Sequence, residues 1–368
     1  MAVMTEIIEI ETDYAIPAGE YIQEWLEENN WTQARLARAV GVTPKHISKL
    51  IAGARLTHEV AIQLEFVTGI AARIWMSYEN TYREDVARLA LQHSLEEHVE
   101  IARAFPLKDM RARGLISGNL RKPGEVLMEL MAFFRVGSLD GLNARTQPVP
   151  AFRQALSHSV DPGAVQVWLR LIEMELEQSE PLDVPFDRDM LEAVIPDIRK
   201  LSADYPEDFG ARLVHLLASA GVRLLFINDV PGARVHGCTQ WFGGTPVVTL
   251  STRGKDDGKF WFTLFHEIGH VLRHEGNRMF IQADSGKRTP HEDEADEFAR
   301  DTLIPPEFVP ELRTLNSKTK VRSFARRIGT CPGVVVGRMH REQVWDFRFG
   351  QDLFQKLVIS DDEEAESS

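Results

Sequence analysis

"FTLFHEIGHVLRH", running from Phe262 to His274, is the stretch on which the fold turns. With the preceding Trp261, its apolar set is Trp261, Leu264, Phe265, Ile268, Val271 and Leu272. Their spacing is that of a helix with one buried face. On such a helix His266 and His270 stand four apart and project the same way, with Glu267 beside them. Two histidines at i and i+4 with a glutamate after the first form the H-E-x-x-H arrangement. In it the imidazoles bind zinc and the carboxylate acts on a metal-bound water.

The chain around this helix has 368 residues, enough for two or three domains with sizeable cores. It is 43% hydrophobic and 26% charged with a mean hydropathy of −0.22, the balance of a soluble protein. No apolar run is long enough to span a bilayer, so no membrane partner is expected. The start, "MAVMTEIIEIETDY", is acidic where a secretory leader would be basic, which points to a cytoplasmic location. Two cysteines, Cys238 and Cys331, cannot build a disulfide framework and fit a reducing compartment. A net charge of −13 argues against nonspecific coating of nucleic acid but leaves room for local basic patches.

One such patch is "WTQARLARAVGVTPKHISKLIAGARLT", residues 31–57. From Asn29 to His58 there is no acidic residue, while Arg35, Arg38, Lys45, Lys49 and Arg55 are basic. Gln33 opens a helix, Ala37 is small where two helices must cross, and Gly41 sits in the turn. Ile47 and Leu50 anchor a second helix, capped by Thr43 with Pro44 at its first position. This pattern predicts a helix-turn-helix whose second helix enters the DNA major groove. The candidate DNA-binding residues are Gln33, Thr43, Lys45, His46, Lys49 and Arg55, on operator DNA and in a homodimer. A helical hairpin used only for packing is the plainer alternative.

Residues 81 to about 180 read as helices without a chemical motif. From Asp187 two helices, "DRDMLEAVIPDIRKLSADYP" and "EDFGARLVHLLASAG", precede β-prone runs. "VRLLFIN" is one strand; "RVHGCTQWF", Gly243-Gly244 and "TPVVTLS" form a hairpin. The H-E-x-x-H helix follows, then "HEDEADEFARDTL", stopped by Pro305 and Pro306. The fold class is therefore α+β and mostly helical: an all-α helix-turn-helix bundle, a helical linker and a small zincin-like α+β domain.

A catalytic zinc usually takes three protein ligands. Leu272, Arg273 and Gly276 close the route through a third histidine on an extended motif, so the acidic helix must supply the ligand. Glu294 borders its apolar stripe of Ala295, Phe298, Ala299 and Thr302 and is the expected ligand, with Asp296 or His291 as alternatives. Glu292 and Glu297 read as more solvent-facing. The strand from Val235 to Phe242 is expected to align a substrate backbone by strand addition. On it Cys238 is a possible switch, a thiolate able to occupy zinc's open position; a small buried hydrophobe is the plainer reading. His236, His274 and His291 are weak candidates for stabilising an oxyanion.

Past the prolines, "VRSFARRIGTCPGVVVGRMHRE" repeats the earlier spacing, Ala325, Gly329 and Val335 matching Ala37, Gly41 and Ile47. It reads as a second helix-turn-helix or, preferably, as a basic helical pair packed on the zincin-like domain and holding a protein substrate. "SDDEEAESS" is too acidic and polar to fold.

Two pairs of segments carry a family likeness: "WTQARLARAVGVTPKHISKLIAGARL" with "AIQLEFVTGIAARIWMSYENTY", and "FWFTLFHEIGHVLRHEG" with "EDEADEFARDTLIP". Over about 18–80 and 210–306 they resemble ImmA/IrrE-family metallopeptidases fused to an XRE-type helix-turn-helix like that of HigA antitoxins. The likeness implies a bacterial or phage regulator. It implies His266 and His270 as Zn2+ ligands with Glu294 third, Glu267 as catalytic base, and cleavage of a helix-turn-helix repressor. Family members usually cut a separate repressor, whereas here both modules share a chain, so the chain itself is a further possible substrate. The competing class is a regulator or antitoxin, paired with a toxin, whose zinc domain only senses or supports. The expected map is a leader at 1–17, the helix-turn-helix at 18–80, a helical region at 81–186, the zincin-like domain at 187–308, the basic region at 309–358 and the tail at 359–368.

Overall fold

The computed structural model describes residues 14–146, 160–204, 206, 208–252, 256–274, 276, 279–283 and 289–357. The leader up to residue 13 and the acidic tail lie outside the described residues. The chain forms two compact units, 1–103 with 114–137 and 104–113 with 138–368.

In the first unit, α1 (Ala18–Glu28), α2 (Gln33–Val40), α3 (Pro44–Ile51), α4 (His58–Thr68) and α5 (Ala72–Leu95) follow one another. Thr32, Thr43 and Thr57 each accept a hydrogen bond from the backbone N–H three residues on, capping α2, α3 and α4. Gly41, at φ 81°, ends α2 in the left-handed conformation, and Val42 N–H returns to Ala37. That turn sets α3 across α2. Leu36, Ala37, Val40, Ile47 and Leu50 meet Ile22, Leu26, Leu64 and Trp75 in one core. The helix-turn-helix expected here is present. Two more helices, α6 (Val99–Arg103) and, further on, the helix Pro123–Phe133, complete the unit.

The second unit begins with α7 (Leu107–Ala112), after which the chain returns to the first unit for α8, the helix Pro123–Phe133. It resumes with α9 (Leu139–Thr146), α10 (Pro162–Gln178), α11 (Arg188–Asp204) and α12 (Phe209–Ser219). The segment "NARTQPVP" reads as a loop, yet Asn143–Thr146 belongs to α9 and the rest lies outside the described residues. Four strands follow: β1 (Arg223–Ile227), β2 (Val235–Phe242), β3 (Thr245–Ser251) and β4 (Phe280–Ala283), in spatial order β1-β3-β2-β4. β1 runs parallel to β3, and β2 is antiparallel to both its neighbours. The hairpin turn carries φ 57° at Gly243 and 90° at Gly244, the two positive angles that a tight two-residue connection requires.

Between β3 and β4 comes α13 (Asp257–Arg273), and after β4 comes α14 (Pro290–Leu303). Trp261, Leu264, Phe265 and Ile268 of α13 share a core with Leu224, Val248 and Leu250 of the sheet. The expected single buried face is only part of the burial, for every residue from Thr263 to Leu272 is buried. The polar flank is covered too. The last pair, α15 (Lys318–Ile328) and α16 (Pro332–Arg341), adds Val321, Phe324, Val335, Val336 and Met339 to the same core. Three consecutive buried valines, 334 to 336, leave α16 no free face of the kind a groove-reading helix needs. The pair therefore packs on the domain.

Leu264 is fully buried at the centre of this core. Leu264→Ala should destabilise the second unit by about 2–5 kcal/mol, read from the shift in its urea unfolding midpoint.

Candidate functional site

α13 and α14 cross at Gly269 and Ala295. A Cβ on Gly269 would lie 3.2 Å from the Ala295 Cα, so the helices meet almost backbone to backbone. This brings the first turn of α14 over the histidines. His266 Nε2 and His270 Nε2 are 3.1 Å apart. Glu292 Oε2 is 3.1 Å from the first, and Glu292 Oε1 is 3.4 Å from the second. One donor atom of each of the three residues lies within 4.8 Å of the other two.

Glu294, the expected third member, is elsewhere. Its Oε2 accepts from His274 Nε2 at 2.9 Å, and its side chain is half exposed. The buried positions of α14 are Ala295, Asp296, Ala299 and Leu303. Glu292 stands three before Ala295 and four before Asp296, hence on their face, whereas Glu294 is rotated about 100° from Ala295. Helical side chains also lean toward the N-terminus, which carries Glu292 onto α13. The two alternatives act differently as well. Asp296 Oδ1 is 3.0 Å from His266 Nδ1, and its Oδ2 accepts from the Arg341 guanidinium at 2.9 Å. His291 lies against the His274 ring.

These contacts orient the imidazoles. Asp296 accepts the His266 Nδ1 proton, turning Nε2 toward Glu292. His270 Nδ1 is 3.0 Å from His274 Nδ1, and His274 ends on Glu294, so a hydrogen-bond chain holds the second ring. Phe280 of β4 stacks on His270, with ring centroids 4.2 Å apart.

Glu267 is wholly buried beside the pair. Its Oε2 accepts from the Thr239 hydroxyl at 2.6 Å, and its Oε1 has no hydrogen-bond partner among the described residues. β2 passes directly above: a Cβ on Gly237 would sit 2.6 Å from Glu267 Oε1 and 2.7 Å from Thr263 Cγ2, an approach only glycine permits. Gly237 and Thr239 therefore face α13, and alternation puts Cys238 on the opposite face. There it is paired with Thr249, fully buried, its thiol pushed well up by burial. The switch expected of Cys238 does not fit this placement. Strand addition along β2 does not fit either, because β4 already pairs with Val235 to Thr239.

A cavity of about 420 Å³ adjoins the N-terminal half of α13. Phe262, Thr263, His236, Arg341 and Phe354 are among its walls.

On the first unit, Lys45, Ser48 and Lys49 lie exposed along one face of α3, and Arg55 is exposed beyond it. Thr43 spends its hydroxyl on the cap, Gln33 heads α2 half-buried, and His46 is half-buried. Ser48, exposed three residues after Lys45, joins the candidates the sequence named.

Residues 22–72 match the helix-turn-helix family, and residues 218–340 match the IrrE N-terminal-like domain of a peptidase family. Over 65 residues the chain is 38% identical to the HTH-type transcriptional regulator YddM of Escherichia coli, covering 17% of this chain and 69% of that protein. The chain belongs to the helix-turn-helix transcriptional regulators and carries an IrrE-like, metallopeptidase-like domain. Among the described residues, no helix is long and apolar enough to cross a membrane.

The charges in the IrrE-like domain interlock. Burial opposes charge on Glu292, yet hydrogen bonds from His266 and His270 hold its pKa at about 2. Burial likewise opposes charge on His266, but Asp296 and Glu292 raise its pKa to about 10. Burial lowers His270 to about 4, against the pull of Glu292. Burial raises Glu267 to about 8, against the pull of His266 and Thr239. At neutral pH these values leave His266 with a proton on Nε2 facing Glu292, where a divalent cation would bind, and Glu267 protonated beside it.

Two outcomes follow for the centre. Glu292→Gln should weaken cation retention at least about tenfold while Glu294→Gln changes it little, measured as metal content after dialysis against a chelator. Because the His266 pKa is raised to about 10, its imidazole is charged below that pH and must lose its proton to bind a cation. Uptake at pH 7 should release about one proton from His266 and up to about one more from Glu267, whose pKa is raised to about 8, measured by calorimetry in buffers of different ionisation enthalpy.

Proposed function

We propose that the chain is a DNA-binding zinc metallo-endopeptidase that cuts a helix-turn-helix repressor, another partner or a second copy of itself, and so changes transcription. The observation that carries this reading is Glu267: a wholly buried carboxylate whose Oε1 lacks a partner, set beside two histidines and a glutamate whose donor atoms converge. That donor set, two imidazoles and one carboxylate with each ring's second nitrogen hydrogen-bonded, suits zinc. Zinc, when bound, supplies Lewis acidity toward a peptide carbonyl.

The chain's own residues do the rest. Glu267 Oε1, in its carboxylate form, accepts a proton from water and returns it to the departing amine; burial raises its pKa, which favours that acceptance. Thr239 holds Oε2 and so fixes which oxygen is offered. Asp296, steadied by Arg341, keeps His266 aimed. A scaffold needs none of this, since a buried oxygen without a partner costs about 1–3 kcal/mol.

In the first unit, Lys45 and Lys49 would meet operator phosphates and bases, with the chain acting as a homodimer on paired half-sites in the cytoplasm. A second reading is a non-proteolytic regulator or antitoxin, opposite a cognate toxin, with the zinc domain as sensor or scaffold. It draws on the likeness to YddM, which spans only 17% of this chain.

Wild type and Glu267→Gln, expressed with their neighbouring genes under DNA damage or phage infection, separate the readings. A tagged fragment of the repressor, a partner or this chain should arise only with Glu267 intact; unaltered full-length proteins in both would favour the scaffold. Lys45→Ala with Lys49→Ala should weaken binding to the chain's own promoter at least about tenfold and flatten its salt dependence, checked by fluorescence anisotropy.

A further inference from the structure

We propose that the cavity beside α13 selects the segment to be cut, taking a large apolar side chain with an acidic residue next to it. This deepens the endopeptidase reading and rests on it. The decisive contrast is between two glycines one helical turn apart on α16. A Cβ on Gly333 would sit 2.0 Å from Asp257 Oδ1, so Gly333 is there to let α16 touch the start of α13. A Cβ on Gly337 would have nothing within 4 Å. Packing does not demand glycine at 337, and a glycine inside a helix weakens it relative to alanine. What Gly337 provides is space, and the space is the cavity it lines.

The chemistry of the walls names the occupant. Phe262, Phe347 and Phe354 line the cavity, and Phe347 is 74% exposed, an apolar surface offered to something else. Arg338, also in the wall, donates from Nε to Glu342. Guanidinium groups set in an apolar wall favour a carboxylate from the ligand, since a charge-assisted bond is stronger than one to a neutral carbonyl. Lys259, Arg300 and Arg341 add three more cations to the wall against one carboxylate, Asp256, which lies 3.7 Å from Lys259. The position suits a substrate pocket. Thr263 lines the cavity and packs beside Glu267 under Gly237, one turn away along α13.

The test is binding of peptides to the full-length Glu267→Gln chain, which holds a substrate without cutting it. Fluorescein-labelled octapeptides in a Gly/Ser frame would carry Phe-Glu, Phe-Gln, Phe-Lys or Ala-Glu at the centre. Phe-Glu should bind roughly tenfold more tightly than Phe-Lys or Ala-Glu. Adding Gly337→Leu should abolish that binding, while Gly337→Ala, whose methyl meets nothing, should keep it. Arg338→Gln should erase the preference for Glu over Gln and leave that for Phe over Ala. Equal affinity with and without Gly337→Leu, or no discrimination among the peptides, would overturn the proposal. So would tighter peptide binding after truncation beyond Leu357, which would make the chain's own acidic end the occupant. Because the readout is binding, selective capture of peptides that the zinc-loaded wild type never cleaves would refute the peptidase reading and leave the pocket standing. Proteolysis indifferent to Gly337→Leu would refute the pocket alone.

Discussion

The docking of α13's apolar face on the sheet is the constraint from which the rest of the second unit follows. Six large side chains, Trp261 to Leu272, go from water to a core where each is at most 4% exposed. At about 1.5–3 kcal/mol for each, this far outweighs the cost of burying one carboxylate oxygen without a partner. The helix cannot turn to relieve Glu267 without exposing Leu264 and Ile268. The polar flank is thus held in a buried position that its own chemistry would not choose.

Around that fixed helix, close approach sets the geometry. Gly237 lets β2 lie on Glu267, and Gly269 lets α14 lie on the histidines. Each crossing is this close because a side chain is missing, and each delivers one polar group: Thr239 to Glu267, and Glu292 to His266 and His270. A methyl at either place would push the partner element outward by a sizeable fraction of an ångström. Hydrogen bonds of 2.6–3.4 Å do not survive such displacements intact.

Much of this was legible in the sequence because helical period and turn chemistry are local. The α13 stripe, the Thr43 cap, the turn at Gly41 and the Gly243-Gly244 hairpin can all be read from neighbours within a few residues. The partner of the histidines was not legible in the same way. Choosing between Glu292 and Glu294 needs the crossing point of two helices, and Gly269 against Ala295 declares it only once α14 is placed. Cys238 was misjudged by one step of strand alternation, because nothing local says which face of β2 meets α13. The edge strand β4 was unforeseen, for four residues paired to a distant strand leave little pattern of their own.

Asp257 carries a consequence for how the chain is made. At the start of α13 its carboxylate accepts from the Gln355 backbone N–H, and its own N–H donates to the Gln355 carbonyl. Arg341 reaches back to Asp296 in the same way. Both tethers reach from the metal-site helices to residues 98 and 45 positions further on, so they close late in synthesis. A ribosome releasing the chain from its N-terminus exposes the helix-turn-helix, whose core spans Ala18 to Trp75, long before Gln355 emerges. The DNA-reading half can fold while the other half is still being translated. The centre around Glu267 acquires its last supports only once Gln355 has emerged.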